Sequence, residues 1–201
     1  MRYKVFFIFM GSYLLFGCTD KTKSKDVSYK PINISLQPFN DVDMNDITYV
    51  ALHLKKVYPF IKQKPSVKLP LFAFYPARGR YKADSLIKFL NDKAGNNEVV
   101  IGFTGMDISA NKGTIPDWGV MGMGLCPGKA CVASSFRLSP LQREEQLFKV
   151  AVHELGHTQG LPHCPVKTCL MRDAEGSNPV NEEKEFCSKC KSVLVAKGWK
   201  L

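Results

Sequence analysis

The sequence predicts an α/β (α+β) fold in a single domain, and three observations carry that expectation. Stretches with strand character alternate with stretches of helical period, the order that packs helices on a sheet. The stretch Glu98-Val99-Val100-Ile101-Gly102-Phe103 is apolar on both faces, as a strand covered on both sides must be. Late in the chain, His153 and His157 stand four residues apart in a helical stripe, so one rigid element presents two imidazoles on one side. A chain of 201 residues, 45% hydrophobic and 23% charged, has the size and composition of one globular unit with its own core, which excludes a disordered or fibrous protein.

The chain opens with the basic stretch Met1-Arg2-Tyr3-Lys4 and an apolar run from Val5 to Phe16 that is short for a bilayer span. That layout predicts a signal peptide over residues 1–17. Leu15 three residues before Cys18, and Gly17 directly before it, resemble the lipobox of bacterial lipoproteins, although Phe16 is bulkier than that pattern prefers. Cleavage there leaves Cys18 as a lipidated first residue. An ordinary secretory signal and an uncleaved anchor are the alternatives, and all three place the domain outside the cytoplasm, in the cell envelope. Residues 18–30 are polar and lysine-rich and read as a flexible tether, with the folded domain over 31–201. The formal charge of +10 falls to +8 once Arg2 and Lys4 leave. The remaining lysines are spread out without interleaved aromatics, which suits an anionic envelope and gives no reason to expect nucleic acid.

Within the domain, Ile32-Asn33-Ile34-Ser35-Leu36 alternates apolar and polar residues and predicts the first strand. Ile47, Val50, Ala51, Leu54 and Val57 fall on one stripe of a helix that Pro59 ends. Pro59, Pro65 and Pro70 bracket a loop with a short extended piece, and Leu71-Phe72-Ala73-Phe74-Tyr75 predicts another strand. Leu86, Ile87 and Leu90 mark a second helix from Ala83, stopping near Asn91 to Gly95, ahead of the buried strand at Glu98. Gly119 to Leu125 and Cys131 to Phe136, joined by a Pro127-Gly128 turn, predict a hairpin. Its alternating glycines make either a backbone edge on which a peptide pairs or a flexible loop. Ser139-Pro140-Leu141-Gln142 predicts the start of the histidine helix, with Ser139 as N-cap and Phe148, Ala151, Val152 and Leu155 facing the core. Asn178-Pro179 predicts a last helix running through Cys187 and Cys190 toward Leu194.

The chemistry concentrates in His153-Glu154-Leu155-Gly156-His157-Thr158-Gln159-Gly160-Leu161-Pro162-His163, which reads H-E-x-x-H-x-x-G-x-x-H. A chance match to its five fixed positions has odds of about one in a hundred thousand. His153 and His157 supply two ligands to one zinc, and Gly160 lets the chain turn through a left-handed conformation and return His163 as the third. A fourth position stays open for water, as catalysis requires. Glu154 is rotated roughly 100° from His153, too far round to be an equal ligand but within reach of that water as general base.

A second constellation follows directly: Cys164 and Cys169, then Cys187 and Cys190. Two short-spaced pairs are the pattern of a tetrahedral structural zinc, while an exported protein also admits two disulfides. Cys126 and Cys131, on either side of the Pro127-Gly128 turn, are expected to close the hairpin as a disulfide, with two free thiols as the alternative.

The run H-E-x-x-H-x-x-G-x-x-H-C-x4-C-x-M followed by C-x2-C resembles the archaemetzincins, a branch of the metzincin zinc peptidases, over roughly residues 30–197. The resemblance implies a metzincin-like fold with a mixed twisted sheet, an active-site helix and a small irregular C-terminal part. It implies that His153, His157 and His163 hold a catalytic zinc, that Glu154 is the general base and that Met171 is the Met-turn residue beneath the metal. It further implies that Cys164, Cys169, Cys187 and Cys190 hold a second, structural zinc. The sequence departs from the pattern in its lipoprotein-like start, its Cys126 and Cys131 pair and a short stretch between Met171 and Cys187. The expected function is hydrolysis of peptide bonds by a monomer anchored to a membrane through its N-terminal lipid. The rival is a zinc-binding lipoprotein that holds a partner peptide without cutting it, and Glu154 is the residue such a protein would not need.

Overall fold

The computed structural model describes residues 31–201; the expected signal segment 1–17, the lipidation residue Cys18 and the tether lie outside the described residues. The central sheet has the order β2-β1-β5-β9-β8. Its strands are β1 (Asn33–Pro38), β2 (Ile61–Gln63), β5 (Glu98–Thr104), β8 (Gly122–Gly124) and β9 (Ala130–Ser134). Four run parallel, and β8 alone is antiparallel, forming one edge. The short strands β3 (Phe74–Tyr75), β4 (Arg80–Lys82), β6 (Ile108–Lys112) and β7 (Ile115–Val120) make a second sheet in the order β3-β4-β6-β7.

Period-two burial explains how the central sheet carries a core on both faces. On β5 and β9, Val99, Ile101, Phe103, Cys131 and Ala133 join a core built with α1 (Met44–Val57) and α3 (Arg143–Thr158). Val100, Ala130 and Val132 point the other way, toward α2 (Ala83–Asn91). At Gly102 a Cβ would come within 2.6 Å of Leu90 Cδ1, so the glycine lets α2 lie close on the sheet. Asp43 caps α1 by accepting the Asn45 N–H at 2.9 Å, and Asp46, buried on the same helix, meets Arg143 Nε at 2.8 Å, tying α1 to the start of α3.

Four local expectations are corrected. Leu71 to Tyr75 is not one strand: Leu71–Ala73 forms a 3-10 turn, and only Phe74–Tyr75 pairs. Only Ala73 of this run is buried, with Leu71 82% exposed, and the flanking Pro70 and Pro76 have no N–H to give a ladder. Ser139 does not cap α3, which starts at Arg143 after a turn in which Gln142 N–H donates to the Ser139 carbonyl. The Ser139 N–H instead donates to the Gln146 side chain. Leu147 and Val150 are buried on α3 while Phe148 is only partly covered and packs near His53. Asn178-Pro179 opens a single turn, closed by Glu182 N–H on the Pro179 carbonyl, and the last helix is only α4 (Ser188–Val195) with Cys187 as its N-cap.

The β6–β7 hairpin turns at Gly113, φ +58°, and its outer residues are exposed, so no apolar period announced it in the sequence.

Met171 is fully buried beneath α3, where a Cβ at Gly156 would lie 2.4 Å from its sulfur. Gly156→Ala is therefore expected to lower unfolding stability by about 1–3 kcal/mol. Met171→Ala combined with it is expected to cost less than the two single changes summed, because the new methyl occupies the vacated space. Urea midpoints of the three variants check both statements.

Candidate metal centres

α3 delivers His153 and His157 and then stops as the sequence predicts. Gly160 takes φ +90°, its N–H donates to the His157 carbonyl at 2.8 Å, and the Leu161 N–H reaches back to the Gly156 carbonyl at 3.0 Å. These two bonds form a Schellman closure, which a left-handed residue permits. The chain so turned brings His163 back, with its ring centroid 5.4 Å from that of His153 and 4.8 Å from that of His157. One nitrogen from each of the three histidines lies within 4.8 Å of the others.

The protonation of these rings follows from their partners. His153 Nδ1 lies 2.7 Å from the Leu170 carbonyl and His157 Nδ1 lies 2.8 Å from the Leu161 carbonyl. A carbonyl only accepts, so both Nδ1 atoms carry the hydrogen and both Nε2 atoms are left as bare lone pairs. Burial, reinforced by His157, holds the His153 pKa down at about 3, and burial lowers that of His157 as well, so both rings are neutral at ordinary pH. Yet the two Nε2 atoms face each other at 3.0 Å. Two lone pairs so close repel unless a cation lies between them. Zinc–nitrogen bonds of about 2.0–2.1 Å in tetrahedral array separate ligand nitrogens by about 3.4 Å, which these rings meet with a small adjustment.

Glu154 is 5% exposed, and burial lifts its pKa well above the ordinary carboxylate value. Its Oε2 has no hydrogen-bond partner among the described residues. The strand beside it explains the alternating glycines: a Cβ at Gly122 would stand 2.5 Å from Glu154 Oε1, and one at Gly124 would stand 2.8 Å from the Glu154 carbonyl. Gly122 and Gly124 therefore belong to an ordered edge strand, β8, laid directly against Glu154, while Gly119 of the expected strand lies on β7 of the second sheet.

Behind His163 the four thiols of Cys164, Cys169, Cys187 and Cys190 converge, all sulfurs within 4.8 Å of one another and none in a disulfide. Cys164 and Cys187 are 3.7 Å apart, close to the edge of about 3.8 Å that tetrahedral zinc–sulfur bonds of about 2.3 Å produce. Burial pushes the Cys169 thiol up, against the N–H groups that its Sγ accepts from Met171 at 3.5 Å and Cys187 at 3.3 Å, while the Cys190 N–H lowers the Cys187 thiol to about 7. Donors aimed at sulfur stabilise thiolates, the form a metal binds. The geometry thus favours a metal over the disulfide alternative.

The expected Cys126–Cys131 disulfide is not formed. Cys131 points into the main core from the inner face of β9, while Cys126 is exposed beyond the hairpin end and donates to the Leu161 carbonyl.

A cavity of about 660 Å³ opens over the histidines. Its walls include residues the sequence did not single out: Trp118, Arg137, Asp173 and Glu183. Arg137 is pinned by two bonds to Asp107, at 2.8 and 2.9 Å, and lies over Gly119, where a Cβ would be 2.1 Å from its Nη2. Asp173 approaches His163 Nδ1 at 3.4 Å. These positions carry no local period, and only the folded chain brings them to the metal ligands.

The profile of peptidase family M54 matches residues 40–196. An archaemetzincin of Methanopyrus kandleri is 35% identical over 136 residues, 66% of this chain and 75% of that protein. One of Methanocaldococcus jannaschii is 27% identical over 177 residues, 83% and 95% of the two chains. The crystal structure of an archaemetzincin from Archaeoglobus fulgidus, complexed with malonate, superposes with a TM-score of 0.71 at 29% identity, covering 81% of this chain and 99% of that one. That of the Methanopyrus kandleri protein gives 0.71 at 30% identity, covering 83% and 95%. With three histidines and a buried glutamate on one side of a shared loop and four thiols on the other, the chain belongs to peptidase family M54, the archaemetzincins, and is a zinc metallopeptidase.

Proposed function

We propose that the chain hydrolyses peptide bonds with Glu154 as general base, and that each chain holds two zinc ions. The observation that carries this reading is the orphaned, buried Glu154 carboxyl beside three converging imidazoles. His153, His157 and His163 would hold the catalytic ion, and Cys164, Cys169, Cys187 and Cys190 the structural one. When bound, the catalytic zinc supplies a Lewis acid that polarises a carbonyl and acidifies water. Glu154, which the positive charge of a bound zinc would return to its carboxylate form, takes the proton of the attacking water and hands it to the leaving amine. Gly122 and Gly124 leave the room in which the Glu154 carboxyl sits, and its burial there limits competing solvent at that transfer. The outer edge of β8 offers main-chain groups on which an extended substrate pairs, the peptide-binding alternative read from its glycines.

A protein that only held a peptide would have no use for a buried acid at the metal, so Glu154 disfavours that rival. We further propose that the chain acts as a monomer in the cell envelope, anchored through a lipid on Cys18.

Glu154→Gln is expected to keep its catalytic zinc and to lose at least about a hundredfold in kcat. Hydrolysis of a peptide library at the wild-type rate by that variant would sink the assigned role. Elemental analysis of protein purified under reducing conditions should return two zinc ions per chain. Cys164→Ser with Cys190→Ser should remove one of them and lower the thermal midpoint, whereas a single zinc in the unaltered chain would overturn the count. In an expression host that processes lipoproteins, the wild-type chain should fractionate with membranes and Cys18→Ser should not.

A further inference from the structure

The cavity over the histidines contains a buried acid that the hydrolytic reaction does not use. Glu183 is 4% exposed and lines the same cavity as His153 and Glu154. Its carboxylate makes no hydrogen bond and no ion pair among the described residues. Apart from Glu154 beside the histidines, the other buried acids among the described residues are paired. Asp46 is held by Arg143, and Asp107 by Arg80 and Arg137. Even the exposed neighbour Glu182 has an Arg172 nitrogen at 2.6 Å.

The two cations near Glu183 are committed elsewhere. Lys149 Nζ donates to the Val180 carbonyl at 3.1 Å and pairs with Glu145 at 3.0 Å, and Arg172 Nη1 donates to the Lys167 carbonyl at 3.4 Å and to Glu182. Neither oxygen of Glu183 is among the sealed, unpartnered atoms of the described residues, so the carboxyl meets the cavity and not the packed interior, and an acid held there without a protein partner points to one that arrives from outside. Burial raises its pKa to about 7, with Lys149 and Arg172 acting in the opposite sense and Glu182 adding to the rise. An entering cation would favour the ionised form.

Its surroundings form a built pocket. The segment from Asn178 to Glu183 is fastened along α3: Asn178 Nδ2 donates to Gln146 at 3.4 Å, Gln146 Nε2 to Asn181 at 2.8 Å, and Asn181 Nδ2 to Gln142 at 2.8 Å. Val150, three residues before His153, stands on the same side of α3 about 5 Å along its axis and lines the cavity together with Val180. Two valines and one acid on the wall of the cavity that His153 lines match a side chain with an apolar stem and a cationic tip.

We propose that Glu183 determines specificity, making the cavity beside Val150 and Val180 a subsite for a lysine or arginine side chain of the substrate, close to the scissile bond. This rests on the peptidase reading, and the test separates the two. Zinc-loaded wild type and Glu183→Gln are compared on peptide pairs that differ only in lysine against norleucine, placed in turn at each position flanking the cut. Wild type should favour lysine at one position by about tenfold or more in kcat/KM, and the ratio should fall to within about twofold of unity in Glu183→Gln and partly return in Glu183→Asp. Each ratio is internal to one enzyme, so a general loss of activity does not mimic the result. No lysine preference in the wild type, or an unchanged preference in Glu183→Gln, overturns the proposal. Calorimetry of the same peptides on zinc-loaded Glu154→Gln needs no turnover. Tighter lysine binding there, lost in Glu154→Gln/Glu183→Gln, supports the subsite even if nothing is cut and the peptidase reading fails, and equal Kd values for the two peptides overturn it.

Discussion

The bond from His153 Nδ1–H to the Leu170 carbonyl, 2.7 Å long, joins the two halves of the site. It fixes which nitrogen of His153 faces His157 and at what angle. Leu170 in turn sits between Cys169, whose sulfur belongs to the four-thiol cluster, and Met171, whose side chain fills the space under Gly156. The Met171 carbonyl accepts the Cys164 N–H at 2.7 Å, so the loop is closed on itself one residue after the third histidine. The sulfur cluster and the histidine cluster are thereby parts of one scaffold, in which the first sets the orientation of the second.

That scaffold hangs on the sheet. Leu147, Ala151 and Leu155 press α3 onto the core formed by β5, β9 and α1, and the Asp46–Arg143 contact holds its first turn. The opposite side of α3 is free for ligands because β8 is nearly devoid of side-chain bulk where it crosses Glu154. Packing density here is set by two missing Cβ atoms, at Gly122 and Gly124, and the buried Glu154 side chain fits only because both are absent.

Much of this was legible in the sequence where the determinant is local. His153, Glu154 and His157 follow from helical period alone, Gly160 from the conformation a turning chain needs, and the four cysteines from ligand spacing. Strand β5 was legible because its apolar run has no polar face. The hairpin disulfide was misjudged because separation along the chain says nothing of facing: strand alternation turns Cys131 inward while Cys126 falls beyond the ladder. Ser139 is not the cap because the chain first closes a separate turn, with Gln142 N–H on the Ser139 carbonyl, and α3 begins only at Arg143. Asp173, Glu183, Trp118 and Arg137 were silent because only tertiary packing of separate segments gathers them around one cavity.

The seven candidate ligands all lie between His153 and Cys190, downstream of β9, the last strand of the central sheet. During synthesis the chain therefore completes every strand before it makes its first metal-binding side chain. The loops that a metal then closes are short, and the entropy of closing a loop grows only with the logarithm of its length. Assembly of the sheet and capture of metal are in this way separable events in time, with the thiol-rich segment arriving last to lock a helix already seated on its core.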